Sequence, residues 1–490
     1  NIRIYGNSNG MLPENNSTYS PDDLLENAIW MEKGDDQVFN EGDYILFFGQ
    51  GPDTWYYSDA SEMFHHKTHL YSEFSHYFLT SSLGDGKKIA LSEQIEEQEN
   101  YTTNSYDKYA VQDENLVNLI RSGRMWVSHP LVVPYEQDFE FANRLTNQPV
   151  KVKTVLVAAS PDNAPDSYFD LSFNGETARV SIPGESGQYI FGRSSTYTDE
   201  LNLTDKNIEL QISYNKTSSS SEGWLDYFLI NVRSEIKLSE GQMLFRDKLS
   251  EGIGNITKFE LSNTSDNIKI WDVTDPVNIK ILPLQVAGNK LTFKAYTDTL
   301  REFAAFDGSS YYSIESYEEI ENQNLHEYAF YDMLIVSHPL FLTYAEEFAD
   351  YKEENCNLSV KLVSTEQIYN EFSSGTPDIG GIRDFVKMFY DRAGTPDEMP
   401  KYLVLFGDAS YDQKTPVEEG NTNFIPAYQS YESLIETASY VSDDFYGLLD
   451  FNEGGITGDL DIAIGRFPVK NEEEARAVID KIYLYDSQET

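Results

Sequence analysis

The acidic segment best suited to gather hard oxygen ligands lies between Asp443 and Asp461. Asp450-Phe451-Asn452-Glu453-Gly454, followed by Asp459 and Asp461, draws several carboxylates into one short segment. Calcium takes about six to eight oxygens from carboxylates and carbonyls, and a loop of this composition can supply them. The spacing echoes an EF-hand loop with Asp450 first and Asp461 twelfth. No helical pattern leads in, however, and the fifth position is Gly454, so an EF-hand is excluded. A second acidic turn, Gly407-Asp408, follows an apolar run. The bland alternative for both segments is a pair of solvated acidic loops.

Nucleophilic chemistry has less to work with. Cys356 is the only cysteine, so no disulfide forms within the chain. It sits in Glu353-Glu354-Asn355-Cys356-Asn357, where acidic neighbours oppose a thiolate. The histidine before it in sequence, His338, falls at the far end of the preceding helical pattern. Cys356 therefore reads as an incidental thiol. His65, His66, His69 and His76 hold four of the seven histidines. His65 and His69 would share a helix face and, with His76, could reach one metal. Tyr71, Phe74, Tyr77 and Phe78 favour strand and loop instead, so no metal is assigned there.

Three kinds of segment must position these residues. Residues 1–128 alternate short strands, such as Ile2-Arg3-Ile4-Tyr5 and Asp43-Tyr44-Ile45-Leu46-Phe47-Phe48, with turn clusters such as Gly6-Asn7-Ser8-Asn9-Gly10. A helical stretch is expected over 114–120. Residues 129–320 read as β throughout, with strict alternation in Val150-Lys151-Val152-Lys153 and turn signals every 10 to 15 residues or so, which predicts one or two sandwich-like modules. Thr217-Ser218-Ser219-Ser220-Ser221 reads as a hairpin loop. From 321 to 490 the pattern changes. Met333-Leu334-Ile335-Val336 and Tyr402-Leu403-Val404-Leu405-Phe406 are continuous apolar runs, as strands covered on both faces require. Helical spacing over Ile379, Ile382, Phe385, Val386 and Phe389 separates them. Asn471 with Glu474 resembles a capping box opening a last helix. Strands alternating with helices predict a mainly parallel sheet in three layers.

Composition bounds the partners. The chain has 490 residues, 36 Lys and Arg against 82 Asp and Glu, and a formal charge of -46. Such a negative field repels phosphate backbones, which argues against nucleic acid. No run of about 18 apolar residues is present, so no membrane-spanning helix is expected.

Six blocks follow one another in order along the chain: Gly42-Asp43-Tyr44-Ile45-Leu46-Phe47-Phe48-Gly49-Gln50-Gly51-Pro52, Ser122-Gly123-Arg124-Met125-Trp126, and Trp271-Asp272-Val273-Thr274-Asp275-Pro276, then Ile382-Arg383-Asp384-Phe385, Leu405-Phe406-Gly407-Asp408-Ala409-Ser410-Tyr411-Asp412 and Ile462-Ala463-Ile464-Gly465-Arg466-Phe467-Pro468. Together they resemble the gingipain-type cysteine peptidases, in particular those that act as type IX secretion sortases. Met125 departs from the acidic residue expected at its place. The resemblance implies a multidomain protein, with β-rich N-terminal modules followed by the first α/β subdomain of a caspase-like peptidase.

It implies a surface cysteine endopeptidase that cleaves C-terminal sorting domains from secreted cargo through a thioester. The catalytic His and Cys would lie beyond residue 490, so no catalytic residue is assigned in this chain, which alone is expected to be inactive. An outer-membrane β-barrel partner and a secreted, cell-surface location follow from the same likeness. The resemblance also implies calcium, with Asp408 and Asp461 giving carboxylates, Asp450 and Asp459 main-chain oxygens, and Glu453 a further carboxylate. The alternative is a non-catalytic scaffold subunit of an outer-membrane secretion assembly.

Overall fold

A computed structural model of the chain describes residues 2–7, 10–33, 38–262, 267–288, 290–327 and 329–487. Ser8 and Asn9 of the Gly6–Gly10 turn lie outside them. The strand Arg3–Tyr5 pairs antiparallel with both Glu26–Asn27 and Phe78–Thr80.

Residues 105–235 form a sandwich of two four-stranded antiparallel sheets. One sheet runs Ser105–Asp113, Glu222–Glu235, Val150–Ala159, Arg193–Leu201, and the other Tyr135–Phe139, Ile208–Asn215, Ser167–Phe173, Glu176–Ile182. Ser167–Phe173 shows why they stack. Phe169, Leu171 and Phe173 point inward and are buried, while Tyr168, Asp170 and Ser172 point outward. Phe228 and Ile230 meet them from the facing sheet, and Phe139 joins them from a strand of their own sheet. The Thr217–Ser221 tract does not close a hairpin. It carries the chain from Ile208–Asn215 in one sheet to Glu222–Glu235 in the other.

A second β module follows, cored by Phe245, Phe259, Phe293 and Phe303. Phe259 and Phe293 stack at 4.9 Å. Two short strands from earlier in the chain complete its sheets, Ala90–Leu91 beside Lys280–Ile281 and Tyr101–Thr103 beside Ile256–Ser262. The first 128 residues thus contribute strands to the β modules that follow them. No helix forms over 114–120. Asn115 and Arg121 take positive φ, which breaks the run, and Val117 bridges Val127 instead.

Beyond residue 330 a four-stranded sheet is all parallel, in the order Val360–Ser364, Met333–Ser337, Tyr402–Phe406, Ala463–Phe467; a short antiparallel pair, Tyr428–Gln429 with Val441–Ser442, lies apart from it. Alternate residues of its inner strands serve opposite faces. Leu334, Val336, Leu403 and Leu405 pack against helices α2 (Thr365–Phe372) and α3 (Ile379–Arg392). Met333, Ile335, Val404 and Phe406 pack against α1 (Leu342–Cys356) and α4 (Glu472–Asp486). This is the three-layer arrangement that uninterrupted apolar strands require. Asn471 caps α4, its side chain accepting from Glu474 N at 2.9 Å. The Glu474 carboxylate reaches back to Lys470 N rather than to Asn471 N.

Candidate functional site

Because the four strands run parallel, their carboxyl ends open on one side, where open α/β sheets bind ligands. Three loops gather there. Gly407, at φ +153, follows Phe406, and a Cβ on it would meet the Phe424 Cβ at 2.9 Å. The chain must therefore turn at glycine before Asp408, Ala409, Ser410 and Tyr411. Asp408 N donates to Val469 O at 3.1 Å, and Asp408 O accepts from Phe424 N and Ile425 N. The Asp408 carboxylate pairs with Lys470 at 3.4 Å.

Arg466 ties the loops together from below. It makes a bidentate pair with Asp443 at 2.8 and 2.6 Å and donates to Gly407 O and Ile425 O at 2.9 and 2.8 Å. His338, after the strand Met333–Ser337, accepts from Leu340 N on Nδ1 at 3.3 Å and packs its ring edge-on to Phe424. Burial lowers its pKa below the usual histidine value, with Glu418 opposing.

The N-terminal segments cover part of this edge. Trp126 stacks on Tyr411 at 5.9 Å. Arg124 lies between the rings of Tyr428 and Tyr431, at 4.7 and 4.3 Å, donates to Gln429 O at 2.7 Å and pairs with Glu14. Residues 11–16 run as a strap along the C-terminal part. Leu12 N donates to Asp378, Asn16 N to Glu453 O, and Gly455 N to Glu14 O. Arg383, only 1% exposed, donates to Pro13 O and Glu14 O. Beneath the strap, Asp378 caps α3 and is raised to about 7 by burial, which the Leu12 and Gly380 amides oppose. His69, 3.9 Å away, is lowered to about 3 by burial and accepts from Tyr71 N and Ser72 N on Nδ1.

The five residues expected to hold calcium divide between the two ends of the sheet. Asp408 lies beside Val469, past the carboxyl end of the strands, whereas Asp461 precedes Ala463–Phe467 at the amino end. The five-residue strand Ala463–Phe467 separates the two levels, roughly 16 Å at 3.3 Å per residue. Asp450, Glu453, Asp459 and Asp461 do come together, but oxygens of Asp450, Glu453 and Asp461 already meet the protein's own donors. Glu453 accepts from Asp459 N at 2.8 Å and Asp450 N at 3.2 Å. Asp461 accepts from Leu449 N at 2.9 Å, and the Tyr390 hydroxyl bonds both Asp450 and Asp461. The Lys387 ammonium takes Leu449 O at 2.7 Å, and the Asn16 amide takes Leu448 O and Asp450 O. Among the described residues no group of three His, Cys, Asp or Glu is arranged for a metal. The five-residue set does not fit one calcium ion.

Nor do the histidines gather. His65 bonds Ser61, His66 bonds Asp113, and His76 bonds Thr376. Cys356 is exposed at the last position of α1. A 15-residue helix, roughly 22 Å long, runs between it and the loop bearing His338. No thiol–imidazole pair forms here.

Sequence reasoning missed the roles of Arg124, Arg383 and Arg466. Arg383 left a signal: it falls among Ile382, Phe385 and Val386, where helical spacing calls for apolar residues. Arg124 and Arg466 stood inside recognised blocks, without any mark of what they would bind.

Residues 327–490 match the model of peptidase family C25. The particular likeness is to the crystal structure of dimeric latent PorU from Porphyromonas gingivalis, with 25% identity and a TM-score of 0.85. The match covers 98% of this chain and 46% of that one, so the chain spans about half of PorU's length. The CBM36-1 domain of a multidomain xylanase from the hindgut metagenome of Trinervitermes trinervoides is 15% identical over 25% of this chain and 96% of its own, with a TM-score of 0.17. A family 35 carbohydrate binding module from Clostridium thermocellum is 10% identical over 26% of this chain and 90% of its own, with a TM-score of 0.16. Neither likeness carries any argument. Curated protein sequences give no match. No helix among the described residues is long and apolar enough to cross a membrane.

Proposed function

We propose that the chain is the N-terminal and middle portion of a surface cysteine endopeptidase that removes C-terminal sorting domains from secreted proteins. In this reading its 327–487 region supplies the first half of the peptidase fold. The observation that carries it is the PorU-like fold over 98% of the chain, ending in an all-parallel sheet within the family C25 match. The outer strand, Ala463–Phe467, leaves Ala463 and Gly465 exposed, whereas parallel sheets normally have both faces covered. The rest of the peptidase domain would pack against that edge and bring its Cys and His to the carboxyl ends of the strands.

The thiolate would attack the scissile carbonyl and the imidazole would protonate the leaving amine, giving a thioester that an amine or water then resolves. This chain's part is to shape the floor of the site. Arg466 fixes the Gly407–Tyr411 loop, and Arg124 and Trp126 brace it from the N-terminal side. The acceptor surface would be the outer face of the cell, with an outer-membrane β-barrel as partner. No step passes through calcium.

The test uses a chain extended past residue 490 by its own coding sequence, mixed with a protein carrying a C-terminal sorting domain. Release of that domain through a hydroxylamine-sensitive acyl-enzyme is expected. Release that survives alkylation of every thiol would overturn the reading.

A further inference from the structure

Residues 308–322 are the longest uninterrupted run of exposed residues in the described chain. They join the second β module to the C25 region and form neither helix nor strand. No backbone group of residues 310–322 is hydrogen-bonded to the rest of the described chain. The run carries Tyr312 at 91% exposure and Tyr317 at 90%, the two most exposed aromatic side chains described. A protease needs several residues of chain in extended form, accessible from both sides, and a folded protein offers that at exposed, unbonded segments. Tyr19 is also well exposed, at 79%, but its neighbourhood is pinned, because Thr18 N bonds Asn15 O and Asn16 is held by the Asp450 loop. Charge narrows the class of enzyme further. No Lys or Arg occurs between Arg301 and Lys352, so an endopeptidase that selects basic residues has no site in the run.

We propose that Tyr312 and Tyr317 mark a processing site for an endopeptidase selective for aromatic residues, and that the cut chain remains one particle. One water is consumed. The Tyr312–Ser313 or Tyr317–Glu318 amide C–N bond breaks, the tyrosine carbonyl becomes a carboxylate, and the next residue gains a free amine. The two fragments stay together because the interface between them does not involve the run. Asn16 N holds Glu453 O at 2.8 Å, and Arg383 Nη2 holds Pro13 O at 2.8 Å. Leu434 is buried in a cluster with Val127, Val157 and Trp224 of the N-terminal part. This inference stands apart from the proposed peptidase activity.

Limited digestion of the native chain with chymotrypsin, followed by fragment mass and size-exclusion chromatography, tests it. The first cut is expected after Tyr312 or Tyr317, with both fragments in one peak at the uncut volume and separating only in urea. The double substitution Tyr312→Ser, Tyr317→Ser is expected to slow that cut at least tenfold without moving the melting temperature, and trypsin is expected to leave the run whole. A first cut elsewhere, an unchanged rate in the double variant, or fragments that separate in native buffer would overturn the proposal.

Discussion

Replacing Arg466 with Met tests how the Gly407–Tyr411 loop is held. Its guanidinium makes two bonds to Asp443 and others to Gly407 O, Ile425 O and Pro426 O. The side chain is 11% exposed and its partner 25%. Removing one member of a buried pair costs about 3 to 5 kcal/mol, because the other charge stays behind without its counterpart. Asp443 can draw some water, which places the expected loss near the lower end, at about 3 kcal/mol. Methionine fills the volume, so little of this is packing. Hydrogen exchange read by mass spectrometry, under conditions where it reports equilibrium opening, measures the effect locally. About 3 kcal/mol corresponds to a roughly 150-fold loss of protection at Tyr402–Phe406 and the loop after it. Arg466→Lys should recover only part of this, since an ammonium cannot make the bidentate pair. A loss under about threefold, or one spread evenly over α1 and α4, would refute the assignment of Arg466 as the tie.

Other outcomes follow from the same contacts. Asp378 has a folded pKa of about 7, above its unfolded value, so its contribution is present at low pH and is lost as pH rises from about 4 through 7. Asp378→Asn should remove that decline in a melting-temperature profile. His69, lowered to about 3, acts in the opposite sense: its contribution is present above about 6.5 and is lost as pH falls toward 3. His69→Gln should flatten the acid limb. Chelator should leave the melting temperature unmoved, and added calcium should not raise it; a shift of several degrees either way would show a cation that the Asp450–Asp461 loop accepts after all. Arg383→Met, which strips the strap of its bonds at Pro13 and Glu14, should cost about 3 kcal/mol by urea unfolding and expose residues 11–16 to exchange.

Much of the fold was legible because apolar periodicity reports burial directly. Met333-Leu334-Ile335-Val336 had to be a strand covered on both sides, and it lies at the second position of the parallel sheet. Ser167–Phe173 alternates as one wet face demands. The 114–120 stretch misled because its apolar spacing was compatible with a helix, whereas the positive φ at Asn115 and Arg121 and the pairing of Val117 with Val127 leave no mark in that spacing. Thr217–Ser221 misled for a related reason, since polar tracts serve hairpins and sheet-to-sheet crossings equally well. The acidic loop was found, but the donors that satisfy it, Tyr390, Lys387 and Asn16, come from helix α3 and from the strap, up to 434 residues away in sequence. Nothing in the loop's own composition names them. Asp408 was joined to it by position in a resemblance, and strand polarity then placed the two at opposite ends of one sheet.

The most direct test of the central claim is Cys356→Ser in the chain extended past residue 490, assayed for thiol-dependent cleavage of a sorting-domain substrate. Full retention of activity is predicted, with the acyl group trapped on a cysteine after residue 490. Loss of cleavage in that variant, or thiol-dependent turnover by residues 1–490 alone, would contradict the account.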